Sequence, residues 1–212
     1  MAEQYELIKK SILEFETENI GDYIKKALDS GAKPTEIIEK GIRPGAELAG
    51  EKFDKNEFYL PELVMAGEVI KQGISVLEPL LKKEGDGYKG TVITATVQGD
   101  LHDIGKDLVT VMLKGNGFKV IDLGVDVPPE DVVKAVKEND AKIVCLSILL
   151  TPAYEGLAAT IKALEESGLR EKVKIVLGGA AVAPETVERY GADFYGHDAN
   201  QAVEICNRIF GT

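Results

Sequence analysis

Hydrophobic positions follow a helical spacing throughout the first 84 residues. Apolar side chains recur every three or four positions, which is typical of amphipathic helices that pack through one face. Gly31 ends the second such stretch, and residues 34–36 open the third with a proline, as at the first turn of many helices. Gly41 and Pro44 break or bend this third helix before it resumes. The pattern therefore predicts a four-helix bundle over residues 1–84.

The period changes after a polar, glycine-rich stretch, and residues 85–90 are predicted to form a linker. Short runs rich in β-branched residues predict strands over residues 91–97, 119–123, 142–148, 174–177 and 193–195. Helical patterns alternate with them over residues 104–114, 129–138, 155–167, 184–190 and 198–210. This alternation predicts an α/β domain over residues 91–212, a flavodoxin- or Rossmann-like doubly wound sheet of five parallel strands preceded by a helical cap.

Composition narrows the classes of function. The formal charge of −11 argues against nucleic acids and anionic membranes as partners, because both are bound through clustered Lys and Arg. No apolar run reaches the roughly 18 residues of a membrane span. The polar N-terminus is unlike a signal peptide, and the two cysteines have no paired spacing, so a cytoplasmic protein is expected.

A single loop carries the most distinctive chemistry in the chain. It follows the first predicted strand and therefore lies at the carboxyl end of a parallel strand, where open α/β sheets bind ligands. The candidate site residues in this loop are Gly99, Asp100, Leu101, His102, Asp103, Ile104 and Gly105. One of the two histidines of the protein, His102, lies at its centre.

The surroundings of His102 favour one axial bond to a metal that something else already holds. Zinc needs three or four ligands, which two histidines and two unpaired cysteines do not readily supply. A metal held in a macrocycle needs only one, and Asp100 would accept the other ring N–H of His102, fixing the tautomer. Gly99 and Gly105 would let a bulky ligand approach the backbone.

Other interpretations of the loop remain open at this point. His102 is also compatible with a purely structural role in the loop, and for Asp103 the role of helix N-cap is favoured. A catalytic triad of Asp100, His102 and Ser147 is disfavoured, because Ser147 lies in an apolar strand without the glycines of a nucleophile elbow. A phosphate-binding loop is disfavoured too, because no glycine-rich phosphate motif follows the first strand.

Three motifs in chain order give the loop a resemblance to a known family. The patterns Asp100-x-His102-x-x-Gly105, Ser147-x-Leu149 and Gly178-Gly179 resemble the signature of B12-binding domains that hold the corrinoid in its base-off form. The resemblance implies that His102 takes the place of the nucleotide base beneath cobalt, with Asp100 as its catalytic partner.

The same resemblance assigns residues to the displaced nucleotide tail. Ser147 would bond the benzimidazole ring, and Thr151 would line the groove. Gly178 and Gly179 would let the tail pass close to the backbone. Ala199 falls where tail-binding or surface residues are expected, whereas for the neighbouring His197 a surface role is favoured.

The N-terminal half carries its own resemblance. Residues 39–63 are similar to the helical cap of cobalamin-dependent methionine synthase and of free-standing corrinoid methyl carriers. Phe53, Leu60 and Leu63 would cover the upper face of the corrin, and Glu39 matches a cap residue near that face. The alternative for the three apolar residues is the core of the bundle.

Together the two resemblances cover essentially the whole chain and imply a corrinoid protein that is not a complete enzyme alone. It would carry a methyl group on cobalt, as methylcobalamin and cob(I)alamin, from a substrate-specific methyltransferase to a second one serving tetrahydrofolate or another C1 acceptor. A reductive activating protein would be a further partner. The alternatives are the small subunit of an adenosylcobalamin-dependent mutase, a B12-sensing module, and a plain flavodoxin-like or receiver-like binding domain.

Two details complete the expectation. Methionine synthase has a serine where this chain has Ala153, so a proton path from His102 through Asp100 would end on water, Thr151 or Tyr154. The cap would move about a hinge near residues 85–87.

Overall fold

The computed structural model describes residues 2–84 and 87–211. The chain divides into two compact units. The first runs up to Tyr88 and includes Val111–Gly117, and the second comprises Lys89–Thr110 and the residues from Phe118 onward. The division falls inside the stretch predicted as a linker, of which Gly85 and Asp86, with most of the predicted hinge, lie outside the described residues.

The first unit is helical. Its helices are α1 (Ala2–Leu13), α2 (Thr17–Asp29), α3 (Pro34–Ile37), α4 (Arg43–Asp54) and α5 (Leu60–Glu84). A π-helical turn, Ile38–Ile42, joins α3 to α4, and the Arg43 N–H donates to the Ile38 carbonyl. Pro44 has no N–H and cannot complete the regular helical bond to Lys40, which explains why the predicted interruption takes this form. Glu39 is exposed in the π-helical turn.

The core of the first unit is rich in isoleucine. Glycines let its helices approach closely, because a side chain at Gly41 would press on Ile8 and one at Gly45 would meet Ile12. The largest fully buried residues in α1, α2, α3, the π-helical turn and α5 are Ile8, Ile12, Ile20, Ile24, Ile37, Ile42, Leu63, Ile70 and Leu77. The apolar stripes read from the sequence thus supply the core of this bundle.

The second unit is built on a parallel sheet. Its strands are β1 (Thr91–Thr96), β2 (Lys119–Asp122), β3 (Ile143–Ser147), β4 (Lys174–Gly178) and β5 (Phe194–Tyr195). They follow the order β2-β1-β3-β4-β5, and every pairing is parallel. The helices that alternate with the strands are α6 (Ile104–Gly115), of which residues 111–115 belong to the first unit, α7 (Pro129–Asn139), α8 (Tyr154–Glu166), α9 (Pro184–Tyr190) and α10 (Ala199–Phe210). The predicted fold class is confirmed, with the strand order of flavodoxin-like sheets.

The register of the central strands sets where the functional motifs lie. Thr96 of β1 pairs with Ser147 of β3, and Ser147 pairs with Gly178 of β4. The three motifs therefore leave neighbouring strands at one level, the carboxyl edge of the sheet. None of the helices in the described part of the chain combines the length and apolar character needed to cross a membrane.

Candidate functional site

The loop between β1 and α6 is held by its own backbone and by β1. The Asp100 N–H donates to the Val97 carbonyl over 3.1 Å, and the buried Thr96 hydroxyl donates to the His102 carbonyl over 2.8 Å. Helix α6 begins directly after Asp103, whose carbonyl accepts the Asp107 N–H over 2.7 Å. Asp103 thus lies at the position expected of an N-cap residue.

Asp100 is the buried centre of the site. One carboxylate oxygen, Oδ1, accepts the backbone N–H of His102 over 3.0 Å and its ring Nδ1 over 2.7 Å. The other, Oδ2, accepts the N–H groups of Leu149 at 2.6 Å and Leu150 at 3.2 Å. Burial raises the pKa of this carboxyl, but the hydrogen bonds from the backbone and from the imidazole outweigh it, so its pKa lies below the ordinary value.

The ionised carboxylate decides the tautomer of His102. A carboxylate can only accept, so Nδ1 of the neutral imidazole carries the hydrogen and Nε2 keeps a free electron pair. The His102 side chain is 49% exposed, while that of Asp100 is fully buried. A ring fixed by a buried carboxylate and open at Nε2 is arranged as a metal ligand.

Exposed apolar side chains lie in the His102 loop and in the loop whose backbone bonds Asp100. Leu101 is 72% exposed and Ile104 is 71% exposed, and Leu149 and Leu150 are exposed in the loop that follows β3. Several large apolar side chains exposed together on a surface indicate a binding site for an apolar partner or ligand. Leu150 had no motif to mark it in the sequence, although it adjoins the predicted Leu149.

Gly105 adds open space beside these side chains. A Cβ placed there would meet no atom within 4 Å, and the residue is exposed in the first turn of α6. Nothing in the described structure requires glycine at this position, whereas Gly99 has a φ of +87° that favours glycine. The empty surface at Gly105 suits a broad, flat ligand lying against the helix.

The positions predicted to bind the nucleotide tail lie on the two neighbouring loops. Ser147 ends β3 and is half-buried, and Thr151 is exposed in the short 3₁₀ turn before α8. Gly178 ends β4, and a Cβ there would lie 3.0 Å from the Gly196 oxygen. Gly179 has a φ of +109°, and a Cβ there would collide with the backbone of Ile148. These close backbone approaches thus explain the presence of glycine at both positions independently of the predicted passage of the tail.

Ala199 and His197 lie further along the same edge. Ala199 begins α10 and is buried, so its side chain is not exposed to a ligand. Asp198 caps that helix by accepting the Gln201 N–H over 2.8 Å. His197 is exposed, with its Nδ1 2.8 Å from the carboxylate of Asp198, as its favoured surface role predicts.

Tyr154, one of the predicted end points of a proton path beyond Asp100, has its hydroxyl bonded elsewhere. The Tyr154 hydroxyl donates to the Ala181 carbonyl, and its ring stacks on Tyr190 with centroids 5.3 Å apart. On the far side of Asp100, Oδ2 faces the two backbone N–H groups described above. Ala153 is buried and carries no polar side-chain atom.

The residues of the first unit that were predicted to cover the corrin differ in their exposure. Leu60 is 54% exposed and Phe53 is half-buried, but Leu63 is only 1% exposed and lies in the bundle core. The prediction that Leu63 covers the corrin is therefore wrong. Leu63 is a residue of the bundle core, which is the alternative that the sequence left open. Large exposed apolar residues that the sequence motifs missed in this segment are Tyr59, Val64 and Met65. The signal in the sequence that could have identified them is their position around the start of α5, beside Leu60.

The donor set fits a macrocycle-held metal better than a free ion. In the part of the chain that the structure describes, no group of three or more His, Cys, Asp or Glu side chains is placed to hold a metal ion. His102 offers one nitrogen, and a corrinoid supplies the remaining ligands of its own metal. The apolar surroundings and the space at Gly105 suit the flat face of such a ring.

Comparisons with known proteins identify the family. A family model described as a B12 binding domain matches residues 90–204, and a second model with the same description matches residues 4–78. The trimethylamine corrinoid protein of Methanosarcina barkeri is 41% identical over 208 residues, which is 96% of each chain.

Solved structures give the same picture. The methanol:cobalamin methyltransferase complex of Methanosarcina barkeri contains a chain that matches with a TM-score of 0.85 and 29% identity, over 99% of this chain and 80% of that one. A cobalamin-binding protein from Desulfitobacterium hafniense DCB-2 matches with a TM-score of 0.74 and 33% identity, over 96% and 97% of the two chains.

The chain belongs to the family of B12-binding corrinoid proteins of methyltransferase systems. Its cofactor is a corrinoid, so the predictions of the family and of the cofactor from the three motifs are confirmed.

Proposed function

We propose that this protein carries a methyl group on a bound corrinoid from one methyltransferase to another. The observation that carries the proposal is the His102 ring, which the buried Asp100 carboxylate holds through Nδ1 so that Nε2 is left free, in a region with exposed apolar side chains. His102 would be the lower axial ligand in the base-off, His-on form. When bound, the corrinoid supplies the cobalt that accepts and gives up the methyl group.

The residues around His102 have separate roles in this proposal. Leu101, Ile104, Leu149 and Leu150 form an apolar platform that excludes water from the lower face of the ring. Gly105 leaves the space that the ring needs. Because the four residues are exposed in the described structure, covering them with the apolar ring contributes binding free energy through the hydrophobic effect.

Asp100 holds charge but does not pass a proton onward. Its four N–H contacts stabilise the anion and keep its pKa low, so the Asp100 carboxylate stays an acceptor for the Nδ1–H of His102. Nε2 therefore binds either the metal or a proton, and the carboxylate stabilises the imidazolium in the second case. The N–H groups of Leu149 and Leu150 end the path.

The other predicted positions enter as parts of the same proposal. Ser147, Thr151, Gly178 and Gly179 would border the nucleotide tail, and their place at the ends of β3 and β4 supports this role. The buried Ala199 would contribute packing beneath the tail rather than a side-chain contact.

The helical unit would shield the methyl-bearing upper face of the corrinoid. Its exposed apolar residues Leu60, Tyr59 and Met65 support this role, as does the half-buried Phe53. Glu39 would supply a polar group near that face, and its exposure in the π-helical turn leaves its carboxylate available.

The partners follow from this role. A substrate-specific methyltransferase would load the methyl group, and a second one would transfer it to tetrahydrofolate or another C1 acceptor. A reductive activating protein would restore the corrinoid after accidental oxidation. A methylated amine is the methyl donor that we propose, because the relative that is 41% identical is a trimethylamine corrinoid protein.

The optical spectrum of the methylcobalamin-loaded protein tests the axial ligand. We expect the wild type to show a base-off corrinoid with a nitrogen ligand, and His102→Ala to lose that ligand. His197→Ala is the matched control, because His197 also has Nδ1 beside a carboxylate, at 2.8 Å, and is exposed.

Two outcomes would contradict the proposal at different levels. A wild-type spectrum identical to that of His102→Ala would remove His102 as the ligand. Failure of the protein loaded with cob(I)alamin to accept a labelled methyl group from any methylamine in the presence of a methylamine methyltransferase would contradict the choice of donor and leave the ligand assignment intact.

A further inference from the structure

A residue from a neighbouring loop holds the backbone that carries Asp100. Asp126 lies between β2 and α7, 26 positions beyond Asp100 in the chain. Its backbone N–H donates to the Asp100 carbonyl over 2.9 Å, and its Oδ1 accepts the Gly99 N–H over 2.7 Å. The two bonds run in opposite directions and fix two successive residues of the histidine loop.

The backbone at Asp126 is adapted to this contact. Asp126 has a φ of +51°, in the left-handed region that Asp, Asn and Gly tolerate best. Gly99 on the other side of the contact has a φ of +87°. The two turns thus bring the Asp126 N–H to the Asp100 carbonyl, and the aspartate side chain supplies the acceptor for the Gly99 N–H.

Independent contacts anchor the loop that carries Asp126. The buried ammonium of Lys106, in the first turns of α6, contacts both oxygens of Asp122 at 2.7 Å. Asp122 also accepts the Gly124 N–H over 2.9 Å. Val127 continues the anchoring, because its N–H donates to the Thr96 carbonyl over 3.1 Å. These contacts therefore hold the loop that carries Asp126 in place.

We infer that Asp126 is a positioning residue for the axial histidine. It holds the backbone at Gly99 and Asp100, so the Asp100 carboxylate stays where it orients the imidazole of His102. This inference rests on the proposed role of His102 as the lower ligand. In this inference Asp126 is not a metal ligand, and it acts only through Asp100.

The test measures how strongly His102 holds the metal against a competitor. The protein is loaded with hydroxocobalamin and titrated with cyanide at fixed pH. A first cyanide replaces the hydroxide, and a second displaces the lower nitrogen ligand with a visible spectral change that gives the midpoint. Asp126→Gly removes the acceptor and keeps the left-handed backbone free of strain. We expect the cyanide concentration at half-displacement to fall about tenfold, as for the loss of one hydrogen bond to a charged acceptor.

Two further variants make the result specific. Asp126→Asn keeps an uncharged oxygen acceptor for the Gly99 N–H, so its midpoint should lie between those of Asp126→Gly and the wild type. Asp140→Gly is the matched control, because Asp140 is also an aspartate with a positive φ, +45°, but ends α7 ahead of the amino end of β3. Its midpoint should equal that of the wild type.

The outcomes separate this inference from the proposed function. A wild type without a nitrogen ligand overturns the role of His102 itself. A ligated wild type with an unchanged midpoint in Asp126→Gly overturns the inference alone, as does an equal fall in Asp140→Gly or in Asp126→Asn. If Asp126→Gly does not fold, Asp126→Asn decides alone: a midpoint below that of the wild type supports the inference, and an unchanged midpoint overturns it.

Discussion

The ring Nδ1 of His102 donates to Oδ1 of Asp100 over 2.7 Å, although the imidazole is half exposed and the carboxylate is fully buried. This contrast explains how one nitrogen can face a ligand while the ring itself stays fixed. The buried partner is satisfied by N–H donors on two sides, so it does not depend on water. A rigid acceptor that fixes a half-exposed imidazole is what the axial role proposed for His102 requires.

Replacing Asp100 by Asn should destabilise the cofactor-free protein in a pH-dependent way. The amide turns an NH₂ group toward backbone N–H donors, so we expect a loss of about 1–3 kcal/mol at pH 7. The folded pKa of Asp100 lies below its unfolded value, so its stabilising effect is complete above about pH 4 and disappears as the pH falls through the folded pKa. Urea unfolding between pH 7 and pH 3 measures this difference.

The matched control is Asp103→Asn, because Asp103 is exposed in the same loop and loses the same charge. Its stability should stay within about 0.5 kcal/mol of the wild type. A difference between wild type and Asp100→Asn that stays constant from pH 7 to pH 3 would contradict the account of Asp100 as a stabilised anion.

Gly105→Ala should strengthen the cofactor-free protein and weaken its hold on the corrinoid. Alanine favours the helix over glycine, and a Cβ at this position meets no atom, so we expect a gain of about 0.5 kcal/mol. The added methyl group would occupy the space proposed for the ring, which should lower corrinoid affinity about tenfold. Urea unfolding and titration with cobalamin measure the two effects.

Gly21 offers the comparison for this substitution. It also lies in a helix, and a Cβ added there would meet no atom within 4 Å, but its helix belongs to the helical unit. Gly21→Ala should give a similar gain in stability without a change in corrinoid affinity. Equal affinities for Gly105→Ala and the wild type would show that the open surface at Gly105 is not where the ring binds.

Much of the fold and the centre of the site followed from local sequence patterns. The alternation of β-branched runs with helical runs is a property of successive residues, so it predicted the five strands and the open parallel sheet. Asp100 and His102 lie two residues apart, and Ser147 and Gly178 each end a strand. Residues this close to strand ends can be placed from sequence alone.

The remaining features depend on contacts between distant parts of the chain. The bond between Gly99 and Asp126 joins residues 27 positions apart, and no motif marks it. Gly179 was assigned to the ligand, but the collision that a side chain would make with Ile148 is visible only once two loops are placed together. Leu60 and Leu63 are similar in sequence pattern, and only the packed bundle separates the exposed residue from the buried one.

Leu63→Ala and Leu60→Ala should therefore affect stability very differently. Leu63 is 1% exposed, so its truncation leaves a cavity and should cost about 2–5 kcal/mol. Leu60 is exposed, and its truncation should change stability by less than about 0.5 kcal/mol. Urea unfolding of the cofactor-free protein gives both values, with Leu77→Ala as a second buried leucine of α5 for comparison. Similarly small losses of stability for both variants would contradict the assignment of Leu63 to the buried core.

Gly179→Ala tests whether this glycine serves the ligand or the backbone. Its φ of +109° lies outside the region that other residues tolerate, and a Cβ would collide with Ile148, so we expect the cofactor-free protein to lose about 2 kcal/mol or more. Gly178→Ala, with only a 3.0 Å approach to the Gly196 oxygen, should cost about 1 kcal/mol. Urea unfolding without cobalamin makes the comparison. If Gly179→Ala kept wild-type stability and lost only corrinoid affinity, the glycine would be explained by the nucleotide tail rather than by the packing of the two loops.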